Sequence, residues 1–358
     1  MLPFKKTAGS SGQITVLKRK ALIGLQRGLH YSGAAQLNLR FGSHEGFIAL
    51  MYHSVPDRHR EAFVDPQSAI PAELFEKQLA MLKSHCNVVP LSDAVAYVKE
   101  RGRLPERAVV LTFDDGYLDN FEVAAPMLQR LGLPATLFVA TGYVDRQEPQ
   151  WIDELHTIFR FRRRHALSAD CLPMRLDLSN ERSEKYAYLT LSMQLLKLAY
   201  PNRRRLLDEV TAQLDPERAA PRLTLSWDDL RIMQRRYPAF ELGLHTHDHI
   251  ALATLPLTDA LAEVKQSQQR FKDELGHHAR YFSYPYGRTS LELARALGPT
   301  GIEAAFITQP TERVYEGADP WTLSRYEVTR SLVDMRLWSE GVLPGLGKRV
   351  FGCVVDRV

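Results

Sequence analysis

The 358-residue chain is poor in the features that would classify it at a glance. Its three cysteines, Cys86, Cys171 and Cys353, lie far apart and form no C-x-x-C, which argues against a disulfide framework and against a cysteine zinc site. No segment reaches the roughly 18 uncharged apolar residues of a membrane span. Residues 1 to 35 contain Lys5, Lys6, Lys18, Arg19 and Lys20 but no unbroken apolar stretch of signal-peptide length. Neither sign of charge dominates: 46 Lys and Arg stand against 42 Asp and Glu, a net charge of +4, well short of a dedicated nucleic-acid binder, and no nucleic-acid partner is expected. With 45% apolar and 25% charged residues, 21 Gly and 20 Pro, the chain is neither disordered, collagenous nor coiled-coil. The expectation is a soluble, cytoplasmic protein; no oligomeric state follows from the sequence.

Three divisions are expected. Residues 1–45 form an appendage, in which a Gly/Ser patch precedes a loosely amphipathic basic segment, Ile14 to Leu29. That segment either docks on the domain as a helix or touches an anionic membrane surface peripherally. Residues 46–340 form the main domain and 341–358 a tail. Within the domain, strand-like runs at Phe47 to Tyr52, Ala108 to Phe113, Ala135 to Ala140, Phe240 to Leu244 and Tyr281 to Tyr284 alternate with helical patterns at Pro71 to Lys83, Phe121 to Leu131 and Thr258 to Leu275. Such alternation means α/β with a parallel sheet, open or closed into a barrel. Residues 159–225 break it and read as a charged helical insertion, with Arg160, Arg162 to Arg164 and Arg203 to Arg205 on solvated faces or, alternatively, cradling an anionic group.

The chemistry collects at strand ends. Asp114 and Asp115 follow one apolar run and precede Gly116, so two adjacent carboxylates stand where a parallel sheet binds ligands; capping of the next helix is the structural alternative. His245 and His249 follow another run at a spacing of four, within reach of one metal ion, and a carboxylate would complete a two-His, one-carboxylate site. His247 and the pair His277 and His278 read as structural or surface residues. His53 closes a third run, and Pro285-Tyr286-Gly287 makes a rigid turn after a fourth. There is no G-x-S-x-G, H-E-x-x-H, Walker loop or G-x-G-x-x-G. What remains is a metal-activated water flanked by carboxylate and histidine, equipment for amide or ester hydrolysis.

Thr112-Phe113-Asp114-Asp115-Gly116, His245-Thr246-x-x-His249 and Arg280-x-Phe282-x-x-Pro285-Tyr286-Gly287 resemble, in family order, the first three motifs of the polysaccharide deacetylases, carbohydrate esterase family 4. The resemblance implies a distorted (β/α)7-8 barrel and a divalent metal, usually Zn2+ with Co2+ or Ni2+ as alternatives, that removes N-acetyl groups from an amino-sugar polysaccharide, oligosaccharide or lipid-linked glycan. It implies Asp115, His245 and His249 as metal ligands, Asp114 as general base and the Tyr286 N–H as an oxyanion donor. Two departures stand out. No histidine follows His278, so the usual C-terminal acid motif is missing; in the subgroup that resembles deacetylases of exported poly-N-acetylglucosamine this histidine lies on an N-terminal strand, and His53 in Met51-Tyr52-His53 fits it. Ser283 stands where many relatives carry an arginine that orients the base; Arg325 is the expected replacement, and Asp319-Pro320-Trp321 reads as a weak fourth motif. A related amidohydrolase or O-deacetylase, or a non-catalytic glycan-binding protein, are the alternative functions.

Overall fold

The structure, a computed structural model, describes residues 45–308 and 313–339. The expected appendage, apart from Glu45, and the tail fall outside the described residues. Among those described, no helix is long and apolar enough to cross a membrane.

Seven parallel strands close a ring: β1 (Phe47–Tyr52), β2 (Ala108–Phe113), β3 (Ala135–Val139), β4 (Phe240–Leu244), β5 (Tyr281–Ser283), β6 (Ala304–Ile307) and β7 (Leu323–Glu327). Each pairs with its neighbours in chain order, and β7 returns to β1 through Ala49↔Arg325 and Leu50↔Tyr326. The two-residue strand Asn87–Val88 adds to the start of β2. β1, β2 and β3 are buried along their whole length, as strands covered on both faces must be. Their side chains divide with period two. Phe47, Ala49, Val110, Phe138 and Phe306 fill the barrel with neighbours from adjoining strands, while Ile48, Leu50, Leu111 and Leu137 face the helices. Gly243 is needed inside the ring, because a Cβ there would stand 2.7 Å from the Phe138 ring.

The helices are α1 (Ala72–His85), α2 (Leu91–Val98), α3 (Ala125–Leu131), α4 (Thr141–Arg146), α5 (Trp151–Arg160), α6 (Glu181–Lys197), α7 (Tyr200–Leu214), α8 (Trp227–Arg236), α9 (Leu257–Leu275), α10 (Leu291–Ala296) and α11 (Leu332–Ser339). Between β3 and β4 the chain builds a separate helical layer from α5, α6 and α7, packed around Leu155, Ile158, Leu191, Leu195, Leu207 and Val210. Asn180 caps α6 by accepting from the Arg182 and Ser183 amides.

The arginines of this layer differ from the expectation of solvated faces. Arg160, Arg163, Arg164 and Arg205 are exposed, but Arg203 is buried. The cause is helical phase: Arg203 shares the inward stripe of α7 with Leu207, Val210 and Leu214. Nor does Asp319-Pro320-Trp321 join the other motifs. It precedes β7, at the opposite end of the barrel from the C-terminal strand edge, where Trp321 packs over Gly298 and donates to the Ile302 carbonyl.

Candidate active site

The backbone ladder carries Asp114 one step past β2, its amide donating to Tyr52 O at 3.0 Å. Asp115 then enters the left-handed region at φ 76° and Gly116 follows at φ 83°. A strand would send adjacent side chains to opposite faces; the kink turns both carboxylates toward one pocket. On β4 the same thing happens. The His245 amide still donates to Val139 O at 2.9 Å, after which Thr246 (φ 65°) and His249 (φ 49°) wind the chain back on itself. Tyr286, after β5, is left-handed as well at φ 60°. Non-glycine residues held in this region mark places where the surroundings over-determine the backbone, and four of them converge here.

Asp115, His245 and His249 are all buried, and their ligand atoms lie within 4.8 Å of one another. Asp115 Oδ1 is 3.2 Å from His249 Nε2 and 3.5 Å from His245 Nε2, and the two Nε2 atoms are 3.2 Å apart. His245 Nδ1 lies 2.8 Å from the Ser283 carbonyl; as donor to it, the ring directs its Nε2 lone pair at the cluster. Asp115 Oδ1, although buried, accepts no hydrogen bond. Burial, then the neighbouring Asp114 and Asp153, push its carboxyl well above the usual range. Burial also lowers His245 to about 4 and His249 well below an ordinary histidine. An orphaned carboxylate oxygen facing two neutral imidazoles fits a divalent cation, whose charge reverses each of these costs.

Asp114 has a different environment. Arg325, fully buried on β7, grips it in a bidentate pair, Nη1 to Oδ1 at 2.7 Å and Nη2 to Oδ2 at 2.6 Å. The same guanidinium donates to Ser283 Oγ at 2.6 Å and Thr112 Oγ1 at 3.1 Å, and lies over the Phe138 and Phe306 rings inside the barrel. Ser283 Oγ itself donates to Asp114 Oδ2. Burial alone would raise the Asp114 carboxyl, but Arg325, with His245 adding to it, holds it well below the usual carboxylate range. It is therefore an ionised carboxylate 3.6 Å from His245 Nε2, at the edge of the ligand cluster.

His53 follows β1 on the same rim, half-buried, with its carbonyl accepting from Asn120 Nδ2 at 2.8 Å. The Tyr286 ring meets His249 edge-on at 4.8 Å, and its hydroxyl accepts from Trp151 Nε1 at 3.1 Å. The residues singled out for the site are thus gathered at the C-terminal edge of the barrel, Arg325 reaching Asp114 from inside it. His247 is not a ligand: its Nδ1 pairs with Thr141 Oγ1 at 2.9 Å. Three residues around the site were not expected there. Trp151 holds Tyr286, Asp153 accepts from Tyr117 at 2.8 Å and from the Asp65 amide at 2.7 Å, and Arg203 reaches the His249 loop. Only Arg203 left a signal, its place on the apolar stripe of α7.

A sequence profile of the polysaccharide deacetylase family matches residues 101–305, more than half of the chain. The chain belongs to that family. Its members are metal-dependent, which agrees with the triad described above. A poly-beta-1,6-N-acetyl-D-glucosamine N-deacetylase of Escherichia coli K12 is 35% identical over 106 residues, covering 28% of this chain and 15% of that protein. The enzyme of the same name from Staphylococcus aureus N315 is 37% identical over 73 residues, 20% of this chain and 25% of that one. The aligned parts are thus a quarter or less of those relatives. Among solved structures, IcaB from Ammonifex degensii superposes with a TM-score of 0.55 at 20% identity, over 83% of this chain and 98% of that chain. The Streptococcus pyogenes deacetylase PplD gives 0.53 at 15% identity, over 83% and 97%. At these identities the likeness establishes the fold, a closed barrel of parallel strands as the motifs implied.

Proposed function

We propose that this polysaccharide deacetylase family member is a metal-dependent hydrolase that removes N-acetyl groups from an amino-sugar glycan, with poly-β-1,6-N-acetylglucosamine as the substrate class its curated relatives indicate. The observation that carries the reading is the pairing of two unlike carboxylates. Asp115 is oriented at two imidazoles, and its neighbour Asp114 is reserved by Arg325 in ionised form. Asp115, His245 and His249 would hold the cation, and two nitrogens with one carboxylate suit Zn2+ best, Co2+ and Ni2+ next. Bound there, a divalent cation supplies Lewis acidity to the acyl oxygen and to a water.

The chain's own groups divide the rest of the work. Asp114 accepts a proton from the attacking water, and the bidentate grip of Arg325 fixes the orientation in which it does so. The Tyr286 N–H, presented by a left-handed turn, donates to the oxygen on which negative charge develops. His53, across the rim on β1, delivers a proton to the departing amine. Acetate and a free amino sugar are the products.

The test is acetate release from a β-1,6-linked N-acetylglucosamine oligomer by the purified full chain, with metal analysis of the same sample. Release with one equivalent of metal, and loss of both in Asp115→Ala, supports the reading. Stoichiometric metal without release from this oligomer, but with release from an O-acetylated glycan, moves the activity to esters. Absence of metal overturns it.

A further inference from the structure

Resting on the metal-site reading above, we infer that Arg203, a residue of the helical layer rather than of the barrel, is a positioning residue for the metal ligand His249. Its guanidinium is 1% exposed and uses all five of its N–H donors on neutral oxygens. Nε donates to Leu195 O at 3.2 Å and Nη2 to Leu198 O at 3.0 Å, both at the C-terminus of α6. Nη1 donates to Tyr143 Oη at 3.1 Å and to Asp248 O at 3.1 Å, and Nη2 reaches His249 O at 3.4 Å. One planar fork therefore ties α6 to the two residues that end the ligand loop.

A buried charge is costly without compensation, and among the described residues no carboxylate lies within ion-pair distance of Arg203. Compensation comes from the Leu195 and Leu198 carbonyls at the end of α6, where the helix dipole is negative, and from the loop carbonyls of Asp248 and His249. The loop needs such support. His249 sits at φ 49° and Thr246 at φ 65°, so neither conformation is one the backbone adopts unaided. Other groups hold the preceding residues: the Thr141 and Gly142 amides donate to the carbonyls of Thr246 and His247, and Glu263 accepts from the His247 and Asp248 amides. Among the described residues, the main-chain carbonyl of His249 is held only from the helical layer and the Tyr286 turn, by Arg203 and the Tyr286 hydroxyl, each at 3.4 Å. Removing Arg203 leaves the His249 carbonyl with the Tyr286 hydroxyl alone, so the imidazole is still present but its backbone is less firmly held.

The experiment titrates the metal-free full chain with Zn2+ against a chromophoric chelator and records the visible spectrum of the Co2+ form. Wild type is compared with Arg203→Met, Arg203→Lys and, as a control that weakens the same helical layer away from the loop, Leu207→Ala. Loss of a group that orients a ligand costs about 10- to 100-fold in metal affinity. Arg203→Met is expected in that range with an altered Co2+ spectrum, Arg203→Lys between it and wild type because an ammonium has three donors for five acceptors, and Leu207→Ala close to wild type. A folded Arg203→Met within twofold of wild type, with the same spectrum, overturns the inference. If Arg203→Met does not fold, an Arg203→Lys protein indistinguishable from wild type overturns it equally. A wild type that binds neither ion overturns the metal-site reading first, and the inference with it, a result the wild-type titration alone identifies.

Discussion

Replacing Arg325 with Met isolates the pair at the heart of the site. Thr112 Oγ1 keeps its bond to Leu50 O and Ser283 Oγ keeps Asp114, so the loss falls almost wholly on the Asp114 carboxylate, stranded at 2% exposure without its counter-charge. Breaking a buried pair by removing one partner costs about 3–5 kcal/mol. In wild type the folded Asp114 carboxyl lies below its unfolded value of about 3.9, so the stabilisation is complete above about pH 5 and is lost only as pH falls through the folded value. In Arg325→Met the sign reverses. The folded carboxyl rises above its unfolded value, the native state holds a proton the unfolded chain releases, and stability improves on acidification by up to about 1.4 kcal/mol per pH unit. Urea unfolding of the metal-free proteins should therefore show a deficit of about 3–5 kcal/mol at pH 7.5 that narrows clearly by pH 5. Adding Asp114→Asn should recover most of it, with a coupling energy of about 2 kcal/mol or more. A deficit below about 1 kcal/mol at pH 7.5, one that does not narrow, or a double variant no better than the single, would refute the reasoning.

Three other outcomes follow from the same geometry. Chelation of wild type should abolish deacetylation and added Zn2+ should restore it, whereas Asp115→Ala should neither retain metal nor respond, as read by metal analysis alongside acetate release. His53→Ala should lower kcat by about 10²–10⁴ with metal content unchanged, since it removes proton delivery and no ligand; a rate near wild type refutes the role. Gly287→Ala places a Cβ 2.2 Å from the Thr308 Cβ at a φ of 64°, so the turn must shift. Thermal unfolding should register a loss above about 1 kcal/mol and kcat should fall with the displaced Tyr286 amide; an unchanged melting temperature and kcat argue against the turn's part in the site.

Much of this was legible in the sequence because the relevant signals are local. Phe47 to Tyr52, Ala108 to Phe113 and Phe240 to Leu244 are observed as strands with the bounds expected of them, and each delivers its functional residue at the next position or two. Arg325 could be nominated because a base without its usual arginine needs another, and a late strand offered one. Other features had no local trace. The segment Phe121 to Leu131, read as one helix, is a π-helical turn at Asn120–Ala124 followed by α3. The left-handed conformations of Asp115, Thr246, His249 and Tyr286 are uncommon for any residue but glycine, and although Asp and His visit that region more often than most, no local pattern marks these positions for it. Arg203 was masked by two neighbouring arginines, and its acceptors are main-chain carbonyls, which no side-chain pattern announces.

The ring of strands also sets an order of events. Asp114 and Asp115 are laid down with the second strand, but the guanidinium that steadies Asp114 arrives on the last, which must find β1 across almost the whole barrel. A nascent chain halted after β6 would carry Asp114, Asp115 and both histidines but not the guanidinium that pairs with Asp114. The pair at Asp114 is thereby completed only when the barrel is shut. Such long-range closure is slow compared with local folding, so the counter-charge of Asp114 is among the last contacts to form.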